Sequence, residues 1–549
     1  MRGIVSSPSE AVFLYDTTLR DGSQSEDVNF SVVDKLRIAE RLDAIGMDYI
    51  EGGWPGANPT DDAFFQEIKK HSLRHSRVVA FGSTKRPRTT VQEDPVLEQL
   101  LRTEVGAVTL FGKSWTLHVT DALGISLPEN LALIFDSIRY LKSRVDTLFF
   151  DAEHFFDGYK ADPDYALQVL QTAREAGADC LVLCDTNGGC LVPEVEQIGR
   201  QVARFCQQQA VAWGIHCHND AGLAVANSLA AVVAGATQVQ GTVNGIGERC
   251  GNANLISILP ILQLKMGRTT SVSSQQLTQL TRLSRFVDEI ANRIPQKNQP
   301  FVGTSAFAHK GGVHVSAVMK NTLTYEHIHP EQVGNQQRIL ISDQSGRSNL
   351  LFKLAEFGIT DLDPRDRRLN RLLEEIKGLE HRGFQFDGAE ASFELRAREM
   401  FGMLPDYFQL QGFRVIDERR GIDGERSMGA EATVKLQVAG QLIHLVGEGA
   451  GPVDALHAAL SRALEGFYPH VNEMELVDYK VRILGGAGTD AKVRVLTEWQ
   501  DSQQNWGTVG VSDHIIAASY DAMVDAVRFK LYKDGVSPVQ EKRIGVVAI

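Results

Sequence analysis

VAWGIHCHNDAGLAVANSLAAVVAGATQVQG, residues 211–241, holds one full period of the pattern that decides the fold. A β-branched and aromatic run (Val211–His218) leads into an Ala-rich amphipathic stretch that closes at Ala234-Gly235-Ala236. A second extended run starts at Thr237. Strand, helix, strand at this spacing is a βαβ unit. Towards the N-terminus the extended runs recur: CLVLCDT from Cys180, TLFFDAE from Thr147, AVTLFGK from Ala107, RVVAFGS from Arg77, MDYIEGG from Met47 and VFLYDTTLR from Val12. Helical patterns separate them. In SVVDKLRIAERLDAIG, Ser31 is placed to cap, and Val33, Leu36, Ala39, Leu42 and Ile45 repeat at the helical period before Gly46. PDYALQVLQTAREAGA also closes on Ala-Gly-Ala. Eight alternations in about 250 residues predict a (β/α)8 TIM barrel. A doubly wound open sheet is the alternative, but no G-x-G-x-x-G follows the first strand.

Beyond Phe286 the rhythm changes. Residues 286–404 read as helical linker subdomains broken by polar loops such as NRIPQKNQPFVGTSAFAHKGGVH. DLDPRDRRLNRLLEEIKGLEHRG is a charged amphipathic helix whose charges form a solvated face. From 405 to 549 the pattern is α+β with an internal pseudo-repeat. EATVKLQVAGQLIHLVGEGAGPVDALHAALSRAL and VRVLTEWQDSQQNWGTVGVSDHIIAASYDAMVDAVRFKL each read strand, strand, helix. No catalytic side chains cluster there, so the module is expected to sense a ligand or to dimerise. The expected division is 10–285, 286–404 and 405–549.

Composition narrows the function. The chain has 549 residues, 43% hydrophobic and 23% charged, a globular balance. Its net charge of −13 repels phosphate backbones, so nucleic-acid binding is not expected. No apolar run of about 18 residues predicts a membrane span, and the N-terminal run is too short for a signal peptide. The six cysteines contain no C-x-x-C pair, which argues against a thiolate zinc cage and for reduced core thiols in a cytoplasmic protein.

Chemistry in a (β/α)8 barrel sits at the C-terminal ends of the strands. Those ends carry Arg20-Asp21, then Asp151, Glu153 and His154, then Asp185-Thr186-Asn187, then His216 and His218, with Glu248, Arg249 and Asn252 after the last strand. His216 and His218, two apart on a strand, project from one face. With Asp21 and Asn252 on the same rim they make a two-imidazole, one-carboxylate metal site; hydrogen-bonded core histidines are the competing reading. Nitrogen and oxygen ligands without thiolate suit Mg²⁺, Mn²⁺ or Zn²⁺. Such a site can polarise the carbonyl of a chelating 2-oxo acid. Arg20 is placed to stabilise an enolate or alkoxide, or to pair with a carboxylate. Glu153 reads as a proton relay, or as the ion-pair partner of Arg20. Thr186 reads as a carboxylate donor or a helix cap. His314, in the loop HKGGVH, is a candidate acid–base group.

DTTLRDGSQ from Asp16, HCHNDAGLAVANSLAA from His216 and GTVNGIGERCGNANL from Gly241 together resemble the signatures of the isopropylmalate synthase and homocitrate synthase family. The resemblance spans essentially the whole chain. It implies a metal-dependent acyl-CoA condensing enzyme on a TIM barrel, with linker subdomains and a C-terminal allosteric module. IEGGWPGANPTDDAFF from Ile50, DAEHFFDGYK from Asp151 and FAHKGGVHVSAVMKN from Phe307 resemble the members that condense acetyl-CoA with pyruvate to (R)-citramalate and CoA. Carried over by position, the resemblance makes Asp21, His216, His218 and Asn252 metal ligands. It makes Arg20, Glu153 and His314 catalytic, with Arg20 and Thr186 on the oxo acid. In some family members a tyrosine precedes the Q-S-G segment and completes the site from the partner subunit; here Asn335 stands near that place, with Tyr325 upstream. The resemblance also implies a homodimer and isoleucine as feedback effector, bound near the Gly-rich turns Gly447–Gly451 and Gly485–Gly488. The rivals are the sister condensations on 2-oxoisovalerate or 2-oxoglutarate, lyase chemistry on the same barrel, and a non-catalytic amino-acid sensor.

Overall fold

The computed structural model describes residues 11–360, 362–363, 365–422, 425–485 and 491–540, with side chains described outside 419–428. The chain forms two compact units that interleave in sequence. Residues up to Phe307 join His327–Gln337 in the first, and Ala308–Glu326 join the residues from Arg338 onward in the second.

The first unit is the expected closed barrel of eight parallel strands in sequence order. They are β1 (Phe13–Asp16), β2 (Tyr49–Gly53), β3 (Arg77–Ser83), β4 (Ala107–Lys113), β5 (Thr147–Glu153), β6 (Cys180–Asp185), β7 (Ala212–Cys217) and β8 (Gln238–Gly241). Inside lie Tyr15, Val79, Ala107, Phe149, Cys180, Val182 and Cys184. Outside, helices pack their apolar stripes on the strands. Val32–Ile45 starts as read: Ser31 accepts from the Asp34 amide while the Asp34 carboxylate accepts from the Ser31 amide. Gly46 ends it in the left-handed region at φ 91°. The returning segment His327–Gln337 is bound to this unit. Val333 is fully buried, its carbonyl oxygen accepts from the Thr281 hydroxyl at 2.7 Å, and Ile328 joins the same apolar cluster. Five of the six cysteines are buried, Cys250 is exposed, and none forms a disulfide.

The second unit begins with a two-residue parallel pair, β9 (Ala308–His309) with β10 (Arg338–Ile339). The linker is helical as expected, with Gly312–Val318, Arg347–Glu356, Arg367–His381 and Glu390–Met400. Asp361 and Pro364 of the charged segment lie outside the described residues. The pseudo-repeat is present with one strand more per copy than the residue pattern suggests. β11 (Gln409–Ile422), β12 (Glu425–Val438) and β13 (Gln441–Gly449) form an antiparallel sheet followed by the helix Pro452–Glu465. β14 (Glu475–Ile483), β15 (Val493–Gln500) and β16 (Asn505–Ser512) form a second, followed by Ile515–Lys533. The leading strands escaped the pattern because their burial does not alternate. β14 is almost wholly exposed, and the β11 and β14 pairings each carry a bulge near their start, so no in–out alternation survives. Of the turn Gly485–Gly488 only Gly485 lies among the described residues. Among the described residues no helix is long and apolar enough to cross a membrane.

Candidate active site and metal centre

The turn after β1 is built by its own threonines. The Thr17 carbonyl oxygen accepts the amides of Arg20, Asp21 and Gly22, and the Thr17 amide donates to the Gly241 carbonyl oxygen at 2.8 Å, closing β1 on β8. Thr18 donates amide and hydroxyl to the buried Asp16 carboxyl, and burial pushes that group up to about 7. This tight turn delivers Arg20 and Asp21 to the rim.

His216 is the penultimate residue of β7, and His218 lies one residue past its end, bridged to Asn252. The loop carrying Asn252 needs Gly251: at φ 88° a Cβ there would lie 2.0 Å from the Gly245 carbonyl oxygen. Four predicted ligands thereby converge. Asp21 Oδ2 lies 3.2 Å from His216 Nε2 and 3.9 Å from His218 Nε2, and it accepts from Asn252 Nδ2 at 2.6 Å. The two Nε2 atoms are 3.4 Å apart. All four side chains are buried.

Burial alone would push the Asp21 carboxyl up, yet Arg20 and His216 outweigh it and hold it well below the usual carboxylate range. Burial and the neighbouring His216 push His218 down to about 4. A neutral His218 beside an ionised Asp21 offers lone pairs. His218 Nδ1 and Asn252 Oδ1 are buried without a hydrogen-bond partner. The ligand atoms of Asp21, His216 and His218, one carboxylate and two imidazoles, are close enough to share one cation, and the Asn252 side chain adjoins them through Asp21. The residues therefore fit a divalent metal. Behind them, His216 Nδ1 lies 2.9 Å from Gln240 Oε1, and Gln240 Nε2 donates to Asp151 Oδ1 at 3.2 Å.

Arg20 does pair with carboxylates, but they are Glu51 on β2 and, at 3.6 Å, its neighbour Asp21, not Glu153. Arg20 Nε donates to Glu51 Oε1 at 2.6 Å, and the Tyr15 hydroxyl donates to Glu51 Oε2 at 2.6 Å. The Arg20 guanidinium stacks 3.8 Å over the Phe81 ring. Phe81 stacks on Phe111, and Trp54 meets both edge-on. Glu153 instead pairs with Lys113, because those residues end the adjacent strands β4 and β5 in register. Glu51 was not singled out from the sequence, because its role depends on closure of the barrel.

The Thr186 hydroxyl oxygen accepts from the His154 amide at 2.9 Å, where His154 takes a left-handed φ of 56°. Thr186 does not cap the helix that follows β6, which starts after Leu191. His314 belongs to the second unit. It is exposed on the helix Gly312–Val318, its ring 4.3 Å from that of Tyr325. Asn335 has a structural task, donating to the carbonyl oxygens of Phe301 and Gly303.

Residues 11–287 match the HMGL-like family model, residues 301–383 the homocitrate synthase post-HMGL domain-like model, and residues 387–531 the LeuA allosteric (dimerisation) domain. The chain is 54% identical over 527 residues to an (R)-citramalate synthase of Aquifex aeolicus, covering 96% of this chain and 99% of that one. It is 55% identical over 523 residues to the (R)-citramalate synthase of Geobacter sulfurreducens, covering 95% and 98%. It is 50% identical over 534 residues to that of a Synechocystis strain, covering 96% and 97%.

Proposed function

The chain belongs to the (R)-citramalate synthase family, on an HMGL-like barrel, and from that premise we propose that it condenses acetyl-CoA with pyruvate and hydrolyses the thioester to (R)-citramalate and CoA. The observation that carries the chemistry is the buried convergence of Asp21, His216 and His218 beside Arg20. Asp21, His216, His218 and Asn252 would hold the divalent ion, Mg²⁺ or Mn²⁺ by donor type, with Zn²⁺ compatible. When bound, that ion supplies Lewis-acid polarisation of the oxo-acid carbonyl.

The remaining roles fall to the chain. Arg20, anchored through Nε by Glu51 and with Nη1 3.6 Å from Asp21 Oδ1, is placed to donate to an oxygen that becomes negative beside Asp21. Thr186 accepts the His154 amide, which leaves its own O–H proton to donate to the pyruvate carboxylate. Glu153 and His314 are assigned the removal of a proton from the acetyl methyl group. The carbanion carbon bonds to the pyruvate carbonyl carbon, whose oxygen takes a proton, and water then cleaves the thioester to release CoA. The aromatic wall of Trp54, Phe81 and Phe111 beside Arg20 favours the small methyl of pyruvate over a branched side chain.

The second unit supports the regulatory part of the reading. A cavity of about 560 Å³ lies between the start of the helix Pro452–Glu465 and the second sheet, lined by Gly451, Met474, Leu476, Tyr479, Trp499 and Met523 among others. Mostly apolar walls, with the Asp454 and Glu475 carboxylates among them to meet an ammonium group, suit an apolar amino acid, here isoleucine. The LeuA-type domain match supports a homodimer, and the unpaired cysteines support a cytoplasmic location.

Release of free CoA from acetyl-CoA and added Mg²⁺ or Mn²⁺ tests the reading, with pyruvate, 2-oxobutyrate, 2-oxoisovalerate and 2-oxoglutarate compared. The expected result is a strong preference for pyruvate that chelator abolishes. Preference for 2-oxoisovalerate or 2-oxoglutarate would overturn the substrate, and no release with any of them would overturn the activity.

A further inference from the structure

Gln240 is the residue of β8 paired beside His216 of β7, and it is wholly buried. Both ends of its amide are committed, one to His216 Nδ1 and one to Asp151 Oδ1. The nitrogen end faces the carboxylate, which accepts. The oxygen end therefore faces Nδ1, and an amide oxygen only accepts, so Nδ1 must carry a hydrogen. An imidazole with its hydrogen on Nδ1 has its lone pair on Nε2. Nε2 is the atom that faces Asp21 and His218. Turning the amide over would require a proton on Asp151 and none on His216 Nδ1 at once, two changes tied through one side chain.

We propose that Gln240 and Asp151 are a positioning pair that fixes His216 as the Nδ1–H form and so keeps Nε2 available to a divalent cation. The assignment rests on the metal reading above. It makes the orientation of an uncharged amide the determinant of whether the site can take its ion. Both are assigned to act through His216 rather than on substrate. Their register explains why they meet: β7 and β8 are neighbours with His216 opposite Gln240, while Asp151 points inward from β5. Ligating histidines held by such a partner typically lose about 10- to 100-fold in metal affinity when it is removed.

The test uses the full-length protein and Mn²⁺. Nitrogen shifts of labelled histidine in the metal-free protein report which ring atom of His216 carries the hydrogen, with His216→Gln for assignment. Free Mn²⁺ signal intensity reports affinity. In the wild type Nδ1 is expected to be protonated. Gln240→Leu is expected to lose that preference and to weaken Mn²⁺ binding on the order of 10- to 100-fold. Gln240→Glu, which still accepts, is expected to restore both. Asp151→Asn, which lets the amide turn, is expected to shift them in the same direction as Gln240→Leu, and it decides the matter if Gln240→Leu does not fold. Unchanged Mn²⁺ affinity with Nδ1 still protonated in these variants would overturn the proposal, as would a bare Nδ1 in the wild type. A wild type that takes up no Mn²⁺ would overturn the metal reading, while the nitrogen shifts decide the tautomer independently.

Discussion

Arg20 depends on a residue that faces it from another strand. Its guanidinium is fastened by Glu51 and flattened on Phe81, which sets the direction of its remaining N–H groups, one of them towards Asp21. Glu51→Gln keeps the shape and removes the charge. It is expected to lower kcat by on the order of 10²-fold, as loss of an aimed donor does, with bound metal unchanged by elemental analysis. Loss of metal along with turnover would place Glu51 in the metal site instead. Arg20, Asp21, His216, His218 and Asn252 were legible in the sequence because barrel strands end in function and their spacing marks one rim. Glu51 and Gln240 were not. Each stands inside an extended run, and its partner lies on another strand that only barrel closure brings near.

At the level of the element, the turn after β5 couples strain to binding. His154 sits in the left-handed region, and its amide is satisfied by the Thr186 hydroxyl from the end of β6. Thr186→Val removes both the acceptor for that amide and the proposed donor to pyruvate. It is expected to cost about 1–3 kcal/mol in stability and to raise KM for pyruvate. Thermal melting and steady-state kinetics separate the two, and a raised KM at unchanged Tm would leave Thr186 a ligand contact only. The last helix, Ile515–Lys533, is held by a second polar knot. Lys530 donates to Asp501 at 2.7 Å and to Glu473 at 2.8 Å, and Lys533 pairs with Asp501 too. Burial would push Asp501 up, but the two lysines hold it well below the usual carboxylate range. Its contribution is therefore full above the unfolded value near pH 3.9 and is lost as pH falls below it. Asp501→Asn is expected to cost about 3 kcal/mol at neutral pH, and the gap from the wild type should close in acid denaturation below about pH 4. A gap that stayed constant with pH would rule out the charge as its source. The helices of the pseudo-repeat were legible from their Ala-rich period. The leading strands β11 and β14 were not, because a bulge near the start of each and the exposure of β14 erase the in–out alternation.

Across the whole molecule, the proposed metal ligands lie on the first compact unit, while His314 and the apolar cavity lie on the second. Leu476→Trp fills that cavity far from the metal ligands in sequence. It is expected to abolish isoleucine inhibition while leaving CoA release without effector near the wild-type rate. Full sensitivity to isoleucine in this variant, measured by the same thiol assay, would move the effector elsewhere. The interleaving of the units left no trace in the hydrophobic pattern, because it rests on single anchors such as Val333 rather than on a periodic face. That interleaving also limits how the protein can be rearranged. The polypeptide passes between the units after Phe307, after Glu326 and again after Gln337. No single cut, in a gene or by a protease, yields two complete halves. A barrel ended at Phe307 would forfeit the strip that buries Ile328 and Val333 on it. A regulatory cassette started at Arg338 would leave behind the segment that bears His314. Fusion or exchange of the C-terminal module with another enzyme therefore has to join at the far side of the helical linker, where only one strand of chain crosses.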